Sequence, residues 1–308
     1  MVRLRLEQIR ELPSEEHPFF LLPERRVVMS LEGSSTPFKL AYRESGSGRP
    51  VLLLHGLWTS AYTFRSLINP LSGQCRLIMP ELVDPRGENL LPELDYRPQR
   101  LADLIRAIGD ALKLEKPLVV AHAESALAGI WLALNNPERM SALVTLGMAI
   151  QLPVLLKFKR WLLGPDRIME KWSNRAFQKP QMAALGMIDY ADPAVICRQE
   201  IRLLSRYWST WPGAKTMARI LSDTLNSAYR QEVMRRLSEH LQSGKAFPVP
   251  LKLVYGDSDR RAPVDHGRKL NRLIPGSELL IAENSAGMMQ VERPEWLASV
   301  IASAFSPF

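Results

Sequence analysis

Residues 117–140 read PLVVAHAESALAGIWLALNNPERM and carry the clearest fold signal in the chain. The short apolar run after Pro117 is typical of a strand that is covered on both faces of a sheet. A tight turn follows at residues 121–125, and the next residues are rich in Ala, Leu and Gly, as in a helix packed closely on a sheet. A buried strand that leads directly into a helix predicts an α/β fold.

The same pattern recurs on both sides of this stretch. An alternating strand, a Gly/Ser/Pro turn and a continuous apolar run occupy residues 38–54, and further strand-like runs lie at 75–80, 142–147, 251–256 and 277–283. Helical spacing between the early runs predicts helices at Arg100–Leu112 and Ser125–Leu134. This alternation predicts a mostly parallel, doubly wound sheet with helices on both faces.

The alternation of strands and helices stops between residues 151 and 246, which we call the cap region. Apolar residues recur there at helical spacing without any strand-like run, and this predicts an inserted helical cap. Residues 1–150 and 247–308 are then expected to form the α/β core. The segment SGKAFPVP at 243–250 is the nearest feature to a linker and returns the chain to the sheet.

Charge is distributed unevenly along the 308 residues, whose net charge is +8. The cap region contains 16 Lys and Arg against 8 Asp and Glu, so it carries the whole excess. This asymmetry predicts either a well-solvated helical face or attraction to an anionic ligand, an acidic partner or a lipid surface. No recognised nucleic-acid-binding motif accompanies the charge, and nucleic acid binding is therefore not expected.

Composition excludes several classes of protein. With 46% hydrophobic and 23% charged residues, the chain can form a large core and is unlike disordered or collagenous sequences. Cys75 and Cys197 form no CxxC motif, so we expect no disulfide framework, no metal and no cofactor. The start of the chain has no apolar segment typical of a signal peptide, and no window is long enough to span a membrane, so a cytoplasmic protein is expected.

Four short motifs occur in an informative order. His55-Gly56 follows a buried strand, PERM lies at 137–140, GDSD at 256–259 and VERPEW at 291–296. With them, residues 38 to 305 resemble the α/β-hydrolase fold family, of the cap-bearing esterase, epoxide hydrolase and haloalkane dehalogenase type. In this resemblance Gly56 lets the backbone turn and present N–H groups as an oxyanion hole requires.

The resemblance also implies a catalytic Ser, His and Asp, and the sequence departs from that set at two positions. The family places Ser at the apex of the turn, about fourteen residues before the Pro of PERM, and this chain has Ala123 there. The general base is expected about seven residues before Pro294, where Gly287 stands, and no His occurs after His266. Asp259 matches the family's acid position. A methyl group cannot act as a nucleophile, so Ser-His-Asp hydrolysis is not expected.

The residues around the two positions allow alternative roles. Ser125 could be a relocated nucleophile, although its place in the first helical turn favours a hydrogen bond to backbone. Glu124 could act as a general acid or base, or could be a surface residue favoured by the helix dipole. His122 and His55 could take part in catalysis, but packed core histidines are the plainer interpretation. Without a His partner, Asp259 could simply cap a turn.

We therefore expect a hydrophobic small molecule to bind between core and cap and, where it reacts, to do so by proton transfer of the lyase, isomerase or cyclase type. Expected pocket-lining residues are Leu57, Trp58, Glu124, Met288, Met289 and the cap aromatics Trp161 and Tyr207. One alternative is an interaction protein whose apolar and basic segment 152–163 contacts a membrane surface or an acidic partner. Another is an esterase that uses Ser125.

Overall fold

Eight strands form one mixed sheet in the computed structural model, which describes residues 9–13, 16–31, 37–83, 96–151, 190–209 and 211–305. The strand order is β1-β2-β4-β3-β5-β6-β7-β8. The pairs β1/β2 and β2/β4 are antiparallel, and the other five pairs are parallel. The strands are β1 Arg25–Met29, β2 Phe38–Ser45, β3 Arg49–Leu54, β4 Cys75–Pro80, β5 Leu118–His122, β6 Ala142–Leu146, β7 Leu251–Gly256 and β8 Glu278–Ala282. The predicted mostly parallel sheet is confirmed.

Helices cover both faces of this sheet. In chain order they are α1 Ile68–Leu71, α2 Pro98–Ala111, α3 Glu124–Asn135, α4 Arg198–Ser209, α5 Trp211–Thr224, α6 Ser227–Gln242, α7 Val264–Leu273, α8 Met289–Glu292 and α9 Pro294–Ser303. A 3₁₀ helix, Ala61–Leu67, precedes α1. The predicted helices at Arg100–Leu112 and Ser125–Leu134 correspond to α2 and α3, with ends that differ by one or two residues.

Alternate residues of β3 show that the sheet is buried on both sides. Leu52 and Leu54 belong to one hydrophobic cluster, while Val51 and Leu53 belong to the other, and none of the four is exposed. Successive strand side chains point to opposite faces, so a continuous apolar run is what a doubly covered strand requires. Strand β1 was not predicted, because its sequence RRVVM begins with two exposed arginines at the sheet edge.

The described part of the cap region is helical. It consists of a short 3₁₀ turn, Pro193–Val195, and of α4, α5 and α6, and α6 packs on α3 of the core. Residues 152–189, and with them Trp161 and the basic segment 152–163, lie outside the described residues, so the boundaries of the cap stay a prediction. None of the helices that the structure describes is long and apolar enough to cross a bilayer.

Parallel pairing brings the carboxyl ends of β3, β5, β6 and β7 to one edge of the sheet. Loops that follow these strands therefore converge there, which is where open α/β sheets bind their ligands. The turns after β3 and β5, and the loops after β7 and β8, supply the candidate site.

Candidate functional site

The turn between β5 and α3 has its apex at Ala123. This residue has φ 53° and ψ −114°, a conformation that residues with a Cβ rarely adopt. Its N–H donates to the Leu146 carbonyl at 2.8 Å, so the neighbouring strand β6 holds the apex in place. Such backbone strain costs of order 1–3 kcal/mol and is concentrated at functional sites. Counting from PERM thus leads to a residue at which the chain turns sharply.

Gly56 lies directly against this apex. A Cβ at Gly56 would lie 3.2 Å from Ala123 Cβ, 3.2 Å from His122 Nδ1 and 3.5 Å from Glu124 Oε2. A side chain at Gly56 would therefore be crowded by a methyl group, a ring nitrogen and a carboxylate oxygen, which all lie close to this glycine on the cavity wall.

His122 connects the apex to the loop after β8. Its Nε2 lies 2.9 Å from the Gly287 carbonyl oxygen. Since a carbonyl oxygen can only accept, Nε2 carries the proton and donates it, and Nδ1 of the neutral ring is an acceptor. Nδ1 is buried and has no hydrogen-bond partner among the described residues. Burial lowers the pKa of His122 to about 4 in spite of the Gly287 hydrogen bond, so the ring is neutral at pH 7.

Glu124 and Arg230 bring two charges to the same cavity from different elements. Glu124 is the first residue of α3, and Arg230 lies on α6, where it is 6% exposed. No ion pair joins the two side chains in the described part of the chain, and both Glu124 Oε2 and Arg230 Nε are buried without a hydrogen-bond partner. Burial lowers the pKa of Arg230, and the negative charge of Glu124 opposes that shift.

Asp259 lies in the turn after β7. Its Oδ1 accepts hydrogen bonds from the N–H groups of Arg261 at 2.7 Å and Ala262 at 2.9 Å. Its Oδ2 is directed toward Gly147, where a Cβ would lie 3.3 Å away. Burial raises the pKa of Asp259, although both backbone hydrogen bonds act in the opposite direction. The carboxylate therefore organises its own turn and also borders the cavity.

His55 and Ser125 are occupied by backbone groups. The N–H of Leu82 donates to His55 Nε2 at 2.9 Å, so Nδ1 carries the proton and donates to the Gly56 carbonyl at 2.8 Å. The Glu81 carboxylate is 3.2 Å from the same Nε2, but that nitrogen already accepts from Leu82 and is not a donor to Glu81. Ser125 is 1% exposed, and its Oγ donates to the His55 carbonyl at 2.7 Å.

These groups border one open cavity. Five of the expected site residues border it from the turns after β3 and β5, namely Gly56, Trp58, His122, Ala123 and Glu124. Three more border it from the loops after β7 and β8, namely Asp259, Gly287 and Met288. Within the described residues, no group of three or more His, Cys, Asp or Glu side chains is close enough to hold a metal ion.

Two expected lining residues are misplaced, and a third expected site residue lies beside the cavity rather than on its wall. Leu57 and Met289 are completely buried in the hydrophobic clusters and do not border the cavity. Leu57 follows Gly56 in the turn after β3 and Met289 is the first residue of α8, and in both places the apolar side chain packs into a hydrophobic cluster instead of the cavity. His55 is likewise unexposed, and both of its ring nitrogens are hydrogen-bonded to backbone groups. The side chains of Trp161 and Tyr207 are outside the described part of the chain.

Five lining residues were not expected from the sequence: Thr59, Gly147, Ala149, Arg230 and Arg261. Arg230 is the most informative of them. It shares the buried face of α6 with Val233 and Leu237, at the i, i+3 and i+7 positions of an apolar stripe. An arginine on such a stripe is the signal that could have identified it.

A family model described as the alpha/beta hydrolase fold matches residues 49–294. This chain belongs to the alpha/beta hydrolase fold family. The resemblance inferred from the motifs is thereby confirmed.

Individual relatives of this alpha/beta hydrolase show how broad the family is. The hydrolase YugF of Bacillus subtilis, described as uncharacterized, is 24% identical over 83% of this chain and 89% of its own length. A haloalkane dehalogenase of Agrobacterium fabrum is 33% identical over 42% of this chain, and the match spans only 40% of that enzyme. The solved esterase of Exiguobacterium antarcticum has a TM-score of 0.70 at 17% identity, with 92% of this chain and 100% of that chain covered. The structural likeness concerns the fold alone.

Proposed function

We propose that this alpha/beta hydrolase does not carry out Ser-His-Asp hydrolysis, and that it binds a hydrophobic small molecule in the cavity beside α6 and transforms it by proton transfer. The observation that supports this most is the residue at the strained apex, φ 53°, which is Ala123. A positioned nucleophile is the group for which such a turn is normally retained, and a methyl group cannot serve as one.

The contact between His122 and Gly287 supports the same proposal. In the hydrolytic machinery the base would extend from the loop after β8 toward the apex. Here Gly287 has no side chain to extend, and its carbonyl accepts a hydrogen bond from the residue that precedes Ala123. The loop after β8 is therefore joined to the residue next to the apex, and both Ala123 and Gly287 border the cavity.

Glu124 is the group best placed to exchange a proton with a bound molecule. It borders the cavity, one of its oxygens has no hydrogen-bond partner among the described residues, and Arg230 places a positive charge near the carboxylate, which can accept a proton from the ligand as a general base. Trp58, Ala149 and Met288 provide apolar contacts for the rest of the ligand. Chemistry of this kind needs no covalent intermediate.

Ester hydrolysis tests the first half of the proposal. Wild type and Ser125→Ala should both hydrolyse 4-nitrophenyl acetate at the background rate, with Ser299→Ala as a matched control because the hydroxyls of both serines donate to a backbone carbonyl. Turnover well above background that Ser125→Ala abolishes and Ser299→Ala keeps would show that Ser125 is a relocated nucleophile, and would reject the proposal.

Binding tests the second half. Anisole, a small apolar aromatic molecule, should bind wild type saturably in isothermal titration calorimetry. Ala149→Phe should weaken that binding at least about tenfold, because the added ring occupies the cavity. Binding that Ala149→Phe leaves unchanged would place the aromatic ligand elsewhere.

A further inference from the structure

Two acceptors border the part of the cavity next to Gly56, which we call the space beside Gly56. His122 Nδ1 and Glu124 Oε2 lie 3.2 Å and 3.5 Å from the point that a Cβ of Gly56 would occupy, and both atoms are buried without a hydrogen-bond partner among the described residues. His122 is 5% exposed. A buried acceptor without a donor is costly, so such groups in a native structure call for an explanation.

The hydrogen-bonding role of His122 is fixed by its other nitrogen. Because Nε2 donates to the Gly287 carbonyl, Nδ1 of the neutral ring has a lone pair and no proton. The low pKa of this side chain keeps the ring in that state at neutral pH. The wall of the space beside Gly56 can therefore accept hydrogen bonds from a ligand but cannot donate one from His122.

The charges that border the cavity limit the charge of the ligand. Among the described residues that line the cavity, two are basic, Arg230 and Arg261, and two are acidic, Glu124 and Asp259. An ionised ligand would add a buried charge to a set that is already balanced, and burial of an unbalanced charge is expensive. A neutral ligand avoids that cost.

We infer that the ligand of this cavity is a neutral molecule with a hydroxyl or N–H group, and that this group donates a hydrogen bond to His122 Nδ1 in the space beside Gly56. The inference rests on the proposed binding function and adds the chemical class of the ligand. Glu124 Oε2, on the same space, is the second acceptor available to a group with two hydrogens.

Phenol and anisole form the test pair, since they share a ring and an oxygen and differ in the donor. In a cavity without a free acceptor anisole should bind more tightly, because phenol would lose its hydrogen bonds to water. With Nδ1 accepting, calorimetry should show phenol binding wild type roughly threefold to tenfold more tightly than anisole. Indole and 1-methylindole provide a second pair with the same expected order.

Gly56→Ala tests whether the donor of the ligand lies beside Gly56. The added methyl would lie 3.2 Å from Nδ1 and would cover that nitrogen against an approaching donor, so the preference for phenol should disappear. Gly109→Ala is the matched control, because a Cβ at Gly109 has no atom within 4 Å, and it should keep the preference. Melting curves establish that both variants are folded.

A measurement on wild type alone covers the case in which Gly56→Ala does not fold. The ¹⁵N resonance of His122 Nδ1 should move toward the value of a hydrogen-bonded nitrogen when phenol is added, and should not move so with anisole. Equal binding of phenol and anisole, or an Nδ1 resonance that phenol leaves unchanged, overturns the inference and leaves the proposed binding function standing. If neither compound of either pair binds, both the inference and the binding function are rejected.

Discussion

Two buried arginine–glutamate couples connect the core with helices of the cap region, and they differ in whether an ion pair joins the two charges, although each arginine has an Nε without a hydrogen-bond partner among the described residues. Arg65 Nη2 lies 3.1 Å from Glu200 Oε2, and the Tyr190 hydroxyl donates to the other carboxylate oxygen at 2.7 Å. The Arg65 guanidinium also lies 4.4 Å from the centre of the Tyr62 ring. In the second couple, Glu124 and Arg230 border the cavity without an ion pair between them.

The pKa values of the two arginines shift in opposite directions. Burial disfavours the charge of Arg65, but the Glu200 carboxylate and neighbouring groups outweigh it and raise the pKa of Arg65. For Arg230 burial prevails over the attraction of Glu124, and its pKa is lowered. The comparison teaches that a carboxylate in contact with the guanidinium offsets the desolvation of Arg65, whereas Arg230 lacks that contact and Glu124 Oε2 has no hydrogen-bond partner among the described residues.

The largest effect is expected from Arg65→Met. This change leaves Glu200 charged, buried and without its cation, and should lower the free energy of unfolding by about 3–5 kcal/mol. Urea denaturation at pH 7 measures it, with Arg268→Met as the control because the Arg268–Asp265 pair is exposed and should contribute little. A loss below about 1 kcal/mol for Arg65→Met would show that the paired couple is not structural.

The next largest effect is a loss of stability at low pH that is caused by His122, which borders the cavity. Its pKa is about 4 in the folded protein and 6.5 for an ordinary histidine, so the unfolded chain binds the proton more strongly. Stability from this residue is therefore present above pH 6.5 and is lost as pH falls toward 4, by about 3 kcal/mol. Between pH 7 and pH 4, the free energy of unfolding measured in urea titrations should fall by about 3 kcal/mol more for wild type than for His122→Asn. Parallel losses in the two proteins would contradict the buried, neutral histidine.

The smallest change in stability is expected from Arg230→Met. Removal of a buried and incompletely paired guanidinium also removes its desolvation cost, so the free energy of unfolding should change by less than about 1 kcal/mol in either direction. The same urea titrations compare it directly with Arg65→Met. A loss as large as that of Arg65→Met would make Arg230 a structural residue and would remove the distinction between the couples.

Most of the sheet could be predicted from the sequence, because a doubly covered strand such as Val51–Leu54 needs an unbroken apolar run. The positions of Ala123 and Gly287 could be counted from PERM and from Pro294, since the number of residues between two points of a helix or loop can be read directly from the sequence. The position of Arg230 on the cavity wall could not be predicted from the sequence, because it depends on how α6 packs on α3. Leu57 and Met289 were misplaced for a related reason, since sequence adjacency to a site residue does not fix the direction of a side chain.

Reaction with a fluorophosphonate probe, followed by intact mass, tests the central claim most directly. Wild type should gain no adduct, because the apex of its strained turn is Ala123. The double variant Ala123→Ser with Gly287→His should gain one adduct, since both positions border the same cavity as Asp259, while Ala123→Ser alone should gain almost none. A stoichiometric adduct on wild type that Ser125→Ala abolishes would contradict the account.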